Sequence, residues 1–78
     1  MTSAELFTAT GEALYGPLWR SELGRILGYD EKQVRRWASG EYPPPVGVWA
    51  DLAAMVEDKR QILADLAKPI SDAAKGRG

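Results

Sequence analysis

The side chains with the clearest chemistry lie close together in the middle of the chain. Residues 32–39 contain three cations and two neutral hydrogen-bonding groups: Lys32, Arg35, Arg36, Gln33 and Ser39. At about 100° per residue of an α-helix, Val34, Trp37 and Ala38 lie together, and the polar side chains occupy the remaining arc. Arginine and lysine can donate to guanine O6 and N7, and glutamine can pair with adenine. The pattern therefore indicates a helix that fits the major groove of DNA.

Groups for catalysis are scarce. The chain contains no histidine and no cysteine, which supply common general bases, nucleophiles and zinc ligands. Glu57 and Asp58 are adjacent and would point about 100° apart on a helix, which is a poor geometry for acid–base catalysis. We therefore expect a non-enzymatic protein without a metal or cofactor. The lack of cysteine and of any apolar run near 20 residues predicts a cytoplasmic protein with no membrane partner.

The charge distribution favours the same central region. The net charge is −1, but residues 17–40 carry five basic and three acidic side chains. Residues 41–58 carry four acidic and no basic side chains, and residues 59–78 carry five basic and two acidic ones. A basic middle segment suits an anionic partner even when the whole chain is nearly neutral.

Capping residues and helix breakers divide the chain into helices, and no strand pattern is visible. Thr2 and Ser3 can cap a first helix that ends at Gly16. Pro17 fits the first turn of a second helix, which Gly28 ends.

Asp30 is a typical N-cap for a third helix over residues 31–39, and Gly40 leaves that helix. A long final helix is predicted over about residues 46–67, between three consecutive prolines and Pro69. The prolines could form a ligand for a polyproline-binding domain, but a stiff connector explains so short a run better.

The predicted fold class is all-α. A chain of 78 residues suits one compact domain of four to five helices. We expect this domain to span residues 1–68 and residues 69–78 to be a disordered tail. Trp19, Trp37 and Trp49 fall at apolar positions of separate helices, so a shared core is expected rather than base stacking.

Residues 20–39 have the layout of a helix-turn-helix. Gly24 allows a close approach of the two helices, and Gly28 supplies the positive φ that a tight turn requires. The segment RSELGRILGYDEKQVRRWAS resembles the lambda-repressor/Cro-like helix-turn-helix family. The resemblance is strong over these twenty residues and looser over residues 3–67. This chain departs from the family pattern at Gly24, where alanine is commoner.

The resemblance implies two groups of DNA contacts. The third helix, residues 31–39, would be the reading helix that enters the DNA groove. Its first residues and one residue a turn further on would contact base edges: Glu31, Lys32, Gln33 and Arg36. A second group would contact phosphates: Arg20, Arg35, Ser39 and Tyr42. Glu31 could accept a hydrogen bond from cytosine N4, be neutralised by Arg20, or serve only as a first-turn residue favoured by the helix dipole. A hairpin that merely packs is the alternative interpretation of the whole segment.

The final helix carries apolar residues too far along the chain for a small body to cover. Ile62, Leu63 and Leu66 are the predicted dimer interface, because an exposed apolar stripe usually has a partner. The alternative is that the stripe folds back onto the first helix.

The sequence therefore predicts a homodimeric transcriptional regulator that places helix 31–39 in the major groove of an inverted-repeat operator in double-stranded DNA. We expect a repressor of phage or mobile-element type that could regulate its own operon. One alternative is an antitoxin-type DNA-binding protein with a toxin partner. Another is a helical module whose cations recognise an acidic protein rather than DNA.

Overall fold

The computed structural model describes residues 1–76 as an all-helical chain, with no strand among those residues. The four α-helices are α1 Ser3–Tyr15, α2 Trp19–Leu27, α3 Glu31–Ser39 and α4 Val46–Gly76, and a short 3-10 helix spans Gly16–Leu18. The predicted all-α class is confirmed. Pro17 lies in the 3-10 helix, so α2 begins at Trp19 rather than at the predicted proline.

Two predicted N-caps begin their helices as expected. The Thr2 hydroxyl accepts from the N–H of Glu5 at 3.1 Å, and the Glu5 carboxylate accepts from the N–H of Thr2 at 2.7 Å. This reciprocal capping box satisfies two amides that would otherwise lack partners. The Asp30 carboxylate accepts from the N–H of Gln33 at 3.0 Å and begins α3 in the same way.

The turn between α2 and α3 depends on two glycines. Gly28 adopts the left-handed conformation with φ of 82°, and its N–H donates to the carbonyl of Gly24 at 2.9 Å. A Cβ on Gly24 would lie 2.8 Å from the backbone oxygen of Tyr29. The turn itself therefore packs over Gly24, which explains the absence of the commoner alanine at this position.

The core is organised around Phe7. This ring lies edge-on to all three tryptophans, with centroid distances of 5.5 Å to Trp19, 5.8 Å to Trp37 and 6.2 Å to Trp49. The predicted shared core of tryptophans is confirmed, with Trp49 at its partly buried edge. A Cβ on Gly11 would overlap the Trp19 ring, so this glycine makes room for the indole.

Helix α4 is longer than predicted. It continues through Pro69 to Gly76, so its predicted end at about residue 67 is wrong. The expected disorder of residues 69–78 is likewise not found over 69–76, and residues 77 and 78 lie outside the described chain. Pro69 removes one backbone hydrogen bond. The helix nevertheless continues through Pro69. Lys68 Nζ bonds to the Asp72 carboxylate at 2.9 Å across the proline, and alanines, which favour the helix, follow it.

The two halves of α4 have different surroundings. Val48 and Leu52 are buried against the other helices, but every residue from Val56 to Gly76 is exposed. The molecule is accordingly elongated, with extents of 52 × 25 × 22 Å. Within residues 1–76, no helix has the length and apolar character needed to cross a membrane.

Candidate nucleic-acid interface

Helix α3 is held by its apolar face and presents its other face to solvent. Val34 and Trp37 are 0% and 1% exposed, and the Tyr29 ring from the preceding turn lies edge-on to Trp37 at 4.8 Å. Packing of this face against the core and against Tyr29 limits the rotation of the helix. The polar side chains of α3 therefore have a defined direction relative to the body.

One shallow surface hollow gathers four of the predicted contact residues. It has a volume of about 510 Å³ and is lined by Arg20, Glu31, Arg35, Ala38 and Ser39. Arg20 comes from the first turn of α2, and the other residues come from one side of α3. Three predicted phosphate contacts and one predicted base contact thus share a site, which we call the α2–α3 hollow.

Arg20 is oriented by the aromatic residue before it. Its Cζ lies 5.0 Å from the centroid of the Trp19 ring, within the range of a cation–π contact. Trp19 is buried and Arg20 is exposed, so the Arg20 side chain lies at the surface, where it shares the α2–α3 hollow with Glu31 and Arg35. No ion pair joins Arg20 to Glu31 among residues 1–76, so the two side chains share the hollow without neutralising each other directly.

Arg36 has a partner that the sequence analysis missed. Its Nε lies 3.6 Å from an Oε atom of Glu41, and both side chains are partly exposed. Gly40, with φ of 87°, reverses the chain after α3, and the N–H of Glu41 donates to the carbonyl of Arg36 at 3.1 Å. The sequence signal for this pair was an acidic residue, Glu41, directly after the glycine that ends α3. Exposed ion pairs of this kind are weak, so Arg36 can exchange Glu41 for another acceptor.

The remaining predicted contacts lie outside the α2–α3 hollow. Lys32 is exposed. Gln33 is half-buried and lies about 200° around α3 from Arg35, so the two side chains are on different faces of the helix. Tyr42 lines a second hollow of about 410 Å³ with Ser39 and the first residues of α1. Lys32, Gln33 and Arg36 line neither hollow, and the other predicted contacts line one or both of two hollows that meet at Ser39.

Ser39 already uses its hydroxyl within the protein. The hydroxyl donates to the carbonyl of Arg36 at 3.1 Å and accepts from the N–H of Glu41 at 3.4 Å. Its contribution to the site is to hold the turn after α3. This leaves the guanidinium groups of Arg20 and Arg35 as the strong donors of the α2–α3 hollow.

Guanidinium groups suit anions with several oxygens. Each presents planar donors that match phosphate or a base edge in pairs. Both hollows are open to solvent rather than enclosed, which fits a large ligand better than a small molecule. Within residues 1–76, no group of three or more acidic residues is arranged to hold a metal ion.

Comparison with protein-family models, curated proteins and solved structures finds no match to this chain.

Proposed function

We propose that this protein is a sequence-specific DNA-binding regulator with a lambda-repressor-like helix-turn-helix formed by α2 and α3. In this proposal α3 enters the major groove of an inverted-repeat operator, and a homodimer represses transcription. The observation that carries the proposal is the α2–α3 hollow, where Arg20 and Arg35 lie beside the start of a reading helix.

The geometry of α3 supports insertion into DNA. A single α-helix fits the major groove, which is about 12 Å wide. With Val34 and Trp37 buried, the exposed side of α3 is polar and includes Lys32 and Arg35, with Arg36 half-buried beside them. A helix that only packs against its neighbours does not require three cations on its polar side.

The proposed roles divide by direction. Glu31, Lys32 and Arg36 contact base edges, with Gln33 contributing from the half-buried side of the helix. The phosphate contacts are Arg20, Arg35 and Tyr42. Ser39, predicted as a fourth, instead holds the turn after α3 through its bonds to Arg36 and Glu41. Arg20 is prepared for this role because Trp19 holds its guanidinium beside the first turn of α3.

The exposed half of α4 supports the proposed dimer. Ile62, Leu63 and Leu66 are 55%, 59% and 48% exposed in the single chain. Leu63 reaches the edge of α1 but is not covered by it. Burial of this stripe in a second copy removes apolar surface from water at about 25 cal/mol per Å².

The test is selection of duplexes from a random-sequence DNA pool by the purified full chain. We expect enrichment of an inverted repeat whose half-site centres lie about 34–36 Å apart or at a multiple of that spacing. Absence of any enriched sequence would refute sequence-specific binding and leave the acidic-partner alternative.

Matched variants then test whether α3 carries the specificity. Lys32→Ala is expected to lose about 1–3 kcal/mol of discrimination at one base pair of the selected operator. Lys75→Ala makes the same charge change in the last turn of α4 and should leave discrimination unchanged. Equal losses on operator and unrelated DNA for Lys32→Ala would reduce α3 to an electrostatic anchor.

A further inference from the structure

The apolar residues of α4 follow one pattern in its buried and its exposed half. From Leu52 onward they are spaced alternately by four and three residues: Leu52, Val56, Lys59, Leu63, Leu66, Ile70 and Ala73. This is the heptad spacing by which one helix packs along another. Lys59 is the one charged member of the series. The heptad spacing of the stripe that packs on the body thus continues along the exposed half of α4, residues 56–76, which we call the projecting half.

A groove lies beside the start of the exposed stripe. Helices α1 and α4 leave an apolar groove of about 430 Å³ between them. Its apolar lining is Ala9, Ala13 and Leu14 from α1 and Val56 and Leu63 from α4. Thr10, Lys59 and Arg60 also line it, and Arg60 is paired with Glu57. The small alanines of α1 leave space for an additional helix. We call this the α1–α4 groove.

We infer that the α1–α4 groove receives the far end of α4 from a second copy of this chain, running antiparallel. The inference rests on the proposed homodimer and specifies its geometry. The heptad layers then pair Val56 with the partner's Ala73 and Leu63 with the partner's Leu66. Lys59 lies opposite the partner's Ile70, and each of these pairs occurs twice about the two-fold axis.

Lys59 favours the antiparallel direction over the parallel one. An in-register parallel pair places Lys59 directly against the partner's Lys59 inside an apolar seam, where like charges repel. In the antiparallel pair the two lysines are eleven residues apart along the helices, or about 16 Å at 1.5 Å per residue. That separation is about twice the Debye length of about 8 Å at physiological salt. Each lysine can pack its stem against isoleucine and extend its ammonium to solvent.

A second copy suits the groove because one stripe can supply both sides of the contact. The segment that lines the groove, residues 56–63, and the segment that fills it, residues 66–73, both carry apolar residues at the heptad positions, apart from Lys59. The same contacts can therefore recur on the two sides of a two-fold axis. Two such faces bury on the order of 1,000 Å² of surface in total, which is about the minimum for a specific interface and below the standard range of about 1,200–2,000 Å².

Cysteine cross-linking tests the direction, because the chain has no cysteine of its own. Val56→Cys and Ala73→Cys are prepared as full-length proteins, and both positions are exposed in the single chain. In a glutathione buffer, mixing the two variants should form disulfide-linked dimers at least about tenfold faster than either variant alone, because pairing holds the thiols at high effective concentration. Circular dichroism of each variant checks that it is folded.

The possible outcomes separate the dimer from its direction. Cross-linking of Ala73→Cys alone, at the rate of the mixture, indicates a parallel pair and overturns the antiparallel inference while leaving the proposed dimer. Wild type that sediments as a monomer at tens of micromolar overturns both. A dimer in which neither the mixture nor the single variants cross-link places the interface elsewhere and also overturns the inference. DNA selection tests the proposed function independently of these results.

Lys59→Leu in the Ala73→Cys background sharpens the test. If Lys59 sets the direction, its removal should allow parallel pairing and raise disulfide formation by Ala73→Cys alone. Gln61→Leu, on the polar face of α4, is the matched control and should leave that rate low. An unchanged rate for Lys59→Leu would contradict the role assigned to this lysine.

Discussion

The body of the molecule, residues 1–55, and the projecting half of α4, residues 56–76, both carry amphipathic patterns. Only the body buries its apolar faces within one chain. Phe7, Trp19 and Trp37 are no more than 1% exposed. In α4, no residue beyond Met55 is buried or half-buried among those described. Periodicity therefore identifies which face of a helix is apolar, but the length of the helix beyond its neighbours determines whether that face needs a partner.

The largest expected effect concerns the centre of the body. Phe7→Ala removes the ring that contacts all three tryptophans and leaves a cavity, so we expect a loss of about 3–5 kcal/mol in the free energy of unfolding. Leu66→Ala removes a comparable apolar group from the projecting half and should change monomer stability by less than about 0.5 kcal/mol. Urea denaturation at low protein concentration, followed by tryptophan fluorescence, measures both. Similar losses would show that the two regions do not differ as described.

The projecting half should instead respond through association. Leu66→Asp places a charge in the centre of the proposed interface, where burial of an unpaired carboxylate is unfavourable. We expect wild type to sediment as a dimer at tens of micromolar and the variant as a monomer with unchanged circular dichroism. Asp65→Asn, one residue away on the polar face, is the control. Normal dimerisation of Leu66→Asp would show that the dimer interface does not lie on this face of α4.

Within the body, the turn between α2 and α3 should be sensitive to a single methyl group. Gly24→Ala brings a Cβ to 2.8 Å from the Tyr29 oxygen, so we expect a loss of about 1–3 kcal/mol of stability from overpacking. Gly47→Ala meets no atom within 4 Å, and helix propensity alone should make it neutral or stabilising by up to about 1 kcal/mol. Thermal unfolding of the two variants compares them. A neutral Gly24→Ala would mean that the turn relaxes easily.

The features predictable from the sequence are those that depend on near neighbours. The caps Thr2 and Asp30 and the turn glycine Gly28 act over three or four residues, so residue type and spacing were sufficient. The choice of Phe7 over Leu6 as the central core residue depends on tryptophans in three other helices. Periodicity along α1 alone could not make that choice.

The same distinction applies to the candidate site. The polar residues of α3 could be recognised from spacing, but which of them line the α2–α3 hollow depends on how α3 lies against α2. The helix end at Gly40 could be predicted from residue type, but the approach of Glu41 to Arg36 depends on how the chain reverses there. The continuation of α4 past Pro69 was missed because a proline is a stronger stop signal on average than it is in this helix.

A smaller effect is expected from the phosphate contact in the body. Arg20→Ala should weaken binding to operator and unrelated DNA about equally and reduce the slope of log affinity against log salt by roughly one unit. Lys75→Ala removes the same charge from the projecting half and should leave the slope unchanged. Fluorescence anisotropy at several salt concentrations measures these slopes. A loss confined to the operator would instead make Arg20 a base contact.

The smallest expected effect is a pH dependence at the first turn of the body. The N–H and hydroxyl of Thr2 hold the pKa of the Glu5 carboxyl below its ordinary value of 4.5. Because the pKa is lower in the folded state, the stabilisation is complete above about pH 4.5 and is lost as the pH falls through the folded pKa. Glu5→Gln lacks the ionised group, so the difference in Tm between wild type and this variant should shrink as the pH is lowered below that value. Glu12→Gln makes the same charge change at an exposed position of α1 that lacks the Thr2 contacts, and it is the control. A constant difference for Glu5→Gln would mean that the capping box acts through hydrogen-bond geometry rather than through charge.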